Sequence, residues 1–329
     1  MNDPARADRL WLLRLVSERL GRPLTGLVIL IVLLVWFWTV GIFMGPAQGA
    51  SGAAAFFVVI LAYIVPVFHY ITERTQRAFD ELKPHLDADV RQIEAWRNAI
   101  DHKGWRWVVV DLAMGITAWI GHMIVIRSGP TAVPLHGGAW FAIIAAPGLV
   151  WIVMTCTVHA LIDNARLFKH LARHVRIDLV NPAPLTAFAR VAVISTLAII
   201  GAQAAFPIML IDPEGAAVAS LPGLIVTSAA LAVLFVLPIW PIHREIVATK
   251  RKELDRIKAL LDAAGDKARD EAQRIEYLNP YLVYRREIAA VHEWPFDTGI
   301  TTRLAFYLII PPLTWLCAAL MDVAVERLV

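Results

Sequence analysis

The chain has 329 residues, 58% of them hydrophobic, and a net charge of +3, with a mean hydropathy of +0.59. That apolar share lies far above a soluble domain's, and the charge, with no long basic run and no aromatic–basic interleaving, gives no sign of a nucleic-acid partner. Two cysteines, Cys156 and Cys317, both inside apolar segments, exclude a disulfide framework and a thiolate metal centre.

Residues 5–22 interleave Arg6, Arg9, Arg14, Arg19 and Arg22 with Leu10, Trp11, Leu13, Leu15, Val16 and Leu20. The pattern predicts an interfacial amphipathic helix over 1–23. The charged stretch is too long for a signal peptide, and 24–44 is long enough to span; small residues at 47–53 leave cleavage as the minor alternative. Apolar runs predict seven spans: 24–44, 53–71, 107–127, 139–161, 186–210, 221–242 and 303–325. Lysine and arginine test that count. Of 31 such residues, 29 fall before the first span, in 72–106, in 162–190 and in 243–303; Arg127 and Arg327 lie on the other side. The rule that basic loops stay in the cytosol then puts the N-terminus inside and the C-terminus outside. Trp105, Trp107, Trp140, Trp240 and Trp294 fall near the predicted boundaries, where indole rings favour the interface.

The outer loops, 45–52, 128–138 and 212–220, are short and rich in small residues, too small for a domain. The inner segments carry apolar stripes on charged helices. Phe79, Leu82, Leu86, Ile93, Trp96 and Ile100 form one, with Pro84 as a kink or restart. Leu161, Phe168, Leu171 and Val175 form a second; Val247, Leu254, Ile257, Leu261 and Ala264 a third; Tyr281, Tyr284, Ile288 and Val291 a fourth. Asn279-Pro280 reads as a cap and first-turn proline. Stripes need partners, so the second, fourth and sixth spans are expected to extend and pack together in the cytosol, the alternative being that each stripe lies on the membrane surface. The expected fold is an all-α polytopic transmembrane helical bundle of about seven spans. It has spans one to six within 24–242, cytosolic helical loops at 72–106 and 162–185, a cytosolic helical layer at 243–302 and a broken final helix at 303–329.

The final segment is broken at its centre by Pro311-Pro312. Each proline removes an N–H and clashes with the preceding turn, so carbonyls near Tyr307 and Leu308 lose their partners and must face protein or water. Broken mid-membrane helices point to a permeation or binding site; a static kink is the plainer alternative. Pro311, Pro312, Tyr307 and Thr314 are the candidate pore or gating residues. Asp111, four residues after Trp107, is a carboxylate inside a span and needs a partner. With His159, Asp163, Arg190 and Arg303 at similar depth it forms a candidate polar cluster, and Arg190 or Arg303 is the expected ion-pair partner. His69, His159 and His243 sit near cytosolic exits of even-numbered spans. They could gate a pore, or else snorkel or cap carbonyls. His122 reads as interfacial. Glu293, Trp294, Pro295, Phe296 and Asp297 read as an anchor, with Asp297 or Thr298 capping the last helix. No metal-ligand spacing and no catalytic constellation is present in the sequence; no cofactor and no enzyme activity is expected.

The runs Arg176-Ile177-Asp178-Leu179 and Glu293-Trp294-Pro295-Phe296-Asp297 resemble a group of proteobacterial inner-membrane proteins, from the fourth span onward. That resemblance implies a bacterial inner-membrane location and no activity. The topology also resembles the insect odorant and gustatory receptor channels in architecture. That implies a homo-oligomer, a tetramer by analogy, whose last helix lines a pore. The Thr-Tyr…Gln-Phe signature of that family's final helix is absent from this sequence. The leading expectation is a channel-like or ligand-responsive, ion-conducting protein with the last span near the pore and an ion or small molecule as ligand. The alternative is a non-conducting scaffold or sensor that binds a partner through its cytosolic helices. A secondary transporter ranks last, because the span centres carry few polar groups besides Gln203 and Thr314.

Overall fold

The computed structural model describes residues 10–16, 21–43, 51–127, 138–211, 213–267 and 271–296, and residues 299, 302, 309 and 313. The described chain is helical: α1 Trp11–Arg14, α2 Gly21–Thr39, α3 Ser51–Leu82, α4 Val90–Asn98, α5 Trp105–Arg127, α6 Gly138–Leu171, α7 Thr186–Gln203, α8 Pro213–Lys267 and α9 Glu271–Ala290. Short 3₁₀ turns cover Lys83–His85, Ala183–Leu185 and Phe206–Ile211. Among the described residues there is no strand; Leu86 and Val175 meet in an isolated antiparallel bridge.

Six of these helices are long and apolar enough to cross a membrane. They correspond to the first six expected spans. The seventh, 303–325, lies outside the described residues apart from Ile309 and Leu313, both exposed. Burial separates inner from outer helices. The apolar window of α7 is 67% buried and that of α3 61%, against 11% for α2 and 17% for α5. Leu27, Ile31 and Val35 on α2, and Val109, Met114, Ile120 and Ile124 on α5, stand exposed. Such a surface is untenable in water and ordinary in hydrocarbon.

Close approach between helices is bought with glycine. A Cβ on Gly115 would sit 2.8 Å from the Ile152 Cα, so α5 and α6 touch backbone to backbone there. A Cβ on Gly201 would collide with the Tyr63 hydroxyl, which donates to the Ala198 carbonyl at 3.1 Å. Hydroxyls satisfy themselves on their own helix: Thr25 on the Gly21 carbonyl, Thr72 on Phe68 and Thr117 on Ala113. Gln203 ties α7 to α8, donating to Thr227 and Ser228 at 3.2 and 3.0 Å.

The apolar interior falls into two clusters. The first holds Phe56, Ile64 and Phe68 of α3, Val150 and Leu161 of α6, Ile199 of α7 and Leu234 of α8. The second holds Phe79 and Leu82 of α3, Ile93 of α4, Phe168 and Leu171 of α6, Phe188 of α7, Ile246 and Ile257 of α8 and Ile288 of α9. Leu86, Ile100, Leu254, Leu261, Tyr281, Tyr284 and Val291 belong to or pack against this second cluster, so the four stripes meet one another. Ile242 and Ile246 bury where the spacing had placed Val247. The stripe on α3 ends at the 3₁₀ turn holding Pro84, and Asp89 caps α4 by accepting from the Gln92 N–H at 2.7 Å.

Two expectations need correction. Asn279-Pro280 does not open a helix: α9 runs through it from Glu271 to Ala290. A proline inside a helix costs one N–H bond, and on a largely exposed helix the freed carbonyl can take a solvent partner. The N-terminal stretch is more than interfacial. Leu10 and Leu12 are 2% and 0% exposed in the first cluster, and the Leu10 N–H donates to the Asp101 carbonyl at 3.0 Å.

Candidate functional site

Two i,i+4 pairs on facing helices build a polar cluster. Trp107 and Asp111 lie one turn apart on α5, His159 and Asp163 one turn apart on α6, and antiparallel packing brings the four together. The Asp111 carboxylate, 2% exposed, meets His159 Nδ1 at 2.5 Å. His159 Nε2 lies 3.8 Å from Asp163, so one imidazole stands between two carboxylates. The indole of Trp107 stacks flat on that imidazole, centroids 4.6 Å apart and planes 6° apart, and donates its N–H to Asp163 at 2.8 Å. Lys103 and Arg166 each reach Asp163 at 3.2 Å, and Lys103 also lies over the Trp107 ring. The Cys156 thiol, fully buried, interacts with the Asp111 carboxylate.

Charge explains the arrangement. A buried carboxylate needs a counter-charge or a proton, and the chain of Asp111, His159, Asp163 and Lys103 alternates acid and base. The Cys156 thiol is sealed in the core. The cluster can pair charges and hold a proton.

Of the expected cluster, Asp111, His159 and Asp163 come together and Arg190 does not. Arg190 pairs instead with Glu81 of α3, across 109 residues of sequence. The partner of Asp111 is His159, since Arg190 sits where α7 meets the second apolar cluster while Asp111 faces α6. Arg303 lies outside the described residues, as do Pro311, Pro312, Tyr307, Thr314 and Asp297. Lys103 and Trp107 are members that the sequence reading left out of the cluster. Trp107 was read as an interfacial ring. Its i,i+4 spacing to Asp111 was the available signal.

His69 is half-buried on α3, while His159 and His243 take different partners. Among the described residues no group of three or more His, Cys, Asp or Glu is placed to hold a metal. His243, on α8, meets the Glu293–Phe296 run, which doubles back along that helix as a strap. Its imidazole stacks on Trp294 at 3.9 Å and 9°, and its Nδ1 donates to the Glu293 carbonyl at 2.9 Å. Lys250 donates to the Val291 carbonyl at 2.8 Å, and Phe296 stacks on Phe235. The strap is thereby held at Phe235, His243 and Lys250 of α8.

The second feature is a cavity of about 70 Å³ inside the first apolar cluster, lined from α3, α5, α6, α7 and α8. Pro147, Val150, Trp151, Met154, Thr157, Val158 and Leu161 give it one wall from α6. His122 is 8% exposed, turned inward against Trp151 and onto the cavity. Sequence could not show this wall. In a segment apolar on every side, the face toward protein and the face toward lipid carry the same residue types, so no period stands out.

No protein-family model, curated protein or solved structure matches the chain.

Proposed function

We propose that the chain is a ligand-responsive integral membrane protein in which the state of the membrane bundle is read by the charged helical layer. One observation carries this reading. Helices α3, α6 and α8 each contribute to both apolar clusters without a break: Phe68 and Phe79 on α3, Leu161 and Phe168 on α6, Leu234 and Ile246 on α8. Packed helices shift as units of about 1–2 Å rather than bending continuously, so a ligand or filled cavity between their membrane halves displaces their far halves. In this reading the layer is cytosolic, the N-terminus is inside and the membrane is the bacterial inner membrane. Ion conduction by an oligomer, along the final span with its Pro311-Pro312 break, is the output.

The test needs no known ligand. Ala202→Leu adds bulk to the cavity wall and acts as a fixed occupant. Spin labels at Val90→Cys and Leu282→Cys, in a Cys317→Ser background, report the layer; Cys156 is too buried to react. The expected outcome is a shifted label distance in liposomes and a changed flux of monovalent ions. A folded variant with an unmoved layer ends the coupling reading. Unchanged flux with a moved layer removes conduction alone.

Exposed Ile275, Leu282 and Val283 on α9, at 65%, 48% and 53%, favour a second reading, a scaffold whose helices bind a partner. Labelling of Leu282→Cys that is blocked in native membranes and free in purified protein would select it.

A further inference from the structure

We propose that the cavity lined from α3, α5, α6, α7 and α8 binds a small, uncharged, mostly apolar molecule with one hydrogen-bonding group, held by His122 and Thr157. The inference rests on the ligand-responsive reading and names the ligand class for it.

Packed interiors leave few voids larger than one water. This one, at about 70 Å³, has room for roughly five or six water-sized spheres, at about 10–15 Å³ each. That limits an occupant to a comparable handful of heavy atoms, or to the end of a longer one. The wall is apolar and rich in rings, with Phe56, Phe57, Trp151 and Phe206 among its residues. No carboxylate, lysine or arginine lines it, so a charged guest would lie unpaired in a low-dielectric site.

Two wall atoms stand open. His122 Nδ1 and Thr157 Oγ1 are buried with no hydrogen-bond partner, in residues each 8% exposed. Two other hydroxyls on the wall are occupied: that of Tyr63 donates to the Ala198 carbonyl, and that of Thr227 contacts the Gly223 and Leu224 carbonyls and accepts from Gln203. A buried polar atom without a partner is costly, and the cost is removed by a guest that supplies one. An imidazole nitrogen and a hydroxyl can each serve a hydroxyl-bearing guest. A neutral apolar molecule also partitions into the bilayer, which places it beside these helices.

The probes are 3-fluoropropan-1-ol and 1-fluorobutane, both within that size, alike in length and differing by a hydroxyl in place of a methyl. Each is titrated into full-length protein in lipid nanodiscs and followed by fluorine NMR, with empty discs giving the partition background. Saturable binding above that background is expected for the alcohol. After correction for partition it should be about fivefold tighter than 1-fluorobutane, the size of one added hydrogen bond. Thr157→Val or His122→Phe should erase that preference, and Ala202→Leu should abolish binding. The probe comparison on the native chain stands even where a variant fails to fold. No saturable signal overturns the proposal. Equal affinity for the two probes overturns the roles of His122 and Thr157 and leaves an apolar or water-filled void. Alcohol binding with an unmoved layer would sink only the coupling reading, whereas an unoccupied cavity whose filling by Ala202→Leu still moves the layer would sink only the ligand assignment.

Discussion

The imidazole of His159 touches a carboxylate at Nδ1, approaches a second at Nε2 and carries an indole on its face. Removing it strands Asp111. Breaking a buried pair on one side costs about 3 kcal/mol or more. His159→Ala should therefore lower the melting temperature in detergent markedly, and Asp111→Leu added to it should restore part of the loss. The double-mutant cycle reads the coupling directly; additive effects would dissolve the pair. The opposite sign is expected at Asn164, 2% exposed, with neither amide atom paired. Asn164→Leu removes an unsatisfied buried amide and should stabilise the fold by about 1 kcal/mol, seen as raised melting. At this scale the sequence was half legible. A charge inside an apolar run announces itself, and the i,i+4 spacing of His159 and Asp163 fixed a shared face. Which charge answers Asp111 depended on how the helices are placed around one another, and a side chain's depth along its own helix does not encode that. So Arg190, at the right depth, went to Glu81.

At the level of elements, α8 and the strap are the informative pair. The strap buries little and holds by stacking and by two donors, His243 and Lys250. Trp294→Ala removes a ring that packs on His243, Trp240 and Phe296, contacts worth about 0.5–1.5 kcal/mol for one aromatic pair. Backbone amide exchange over 291–296 should rise while α3 and α7 keep their protection. Uniform loss of protection would mean that the strap supports the whole bundle. Helix starts and stops in the charged segments were legible, because stripes, Pro84 and the Asp89 cap all speak locally. Asn279-Pro280 misled for the same reason: the local rule favours a helix start there, and the long packed stripe of Tyr281, Tyr284 and Ile288 carries the helix through.

For the whole molecule, the two apolar clusters make a sharp claim. Ile257 is fully buried in the second cluster, far along α8 from its apolar half. Ile257→Asp buries an unpaired charge and should cost more than about 2 kcal/mol. Because α3, α6 and α8 belong to both clusters, the loss should appear as lower melting of the entire protein; a separate, earlier transition would show that the layer unfolds alone. Six of the seven expected spans and the meeting of the stripes could be read from hydropathy and periodicity. The order of helices around the bundle, with α2 and α5 outside and α7 within, could not, since membrane helices are sorted by shape and small residues rather than by hydrophobicity.

The one-sided burial of α5 has a bearing on how this sequence drifts among relatives. Most of its side chains meet no other part of the described chain, and in a bilayer such a face would meet acyl chains, which ask for oil and not for shape. Val109, Met114, Ile120 and Ile124 should interchange freely with any aliphatic residue. Gly115, pressed on the Ile152 backbone, and Asp111, facing His159, should stay put. A saturation scan of α5 scored for folded protein in the membrane should return a helix that is permissive nearly everywhere, crossed by a narrow intolerant seam one turn apart.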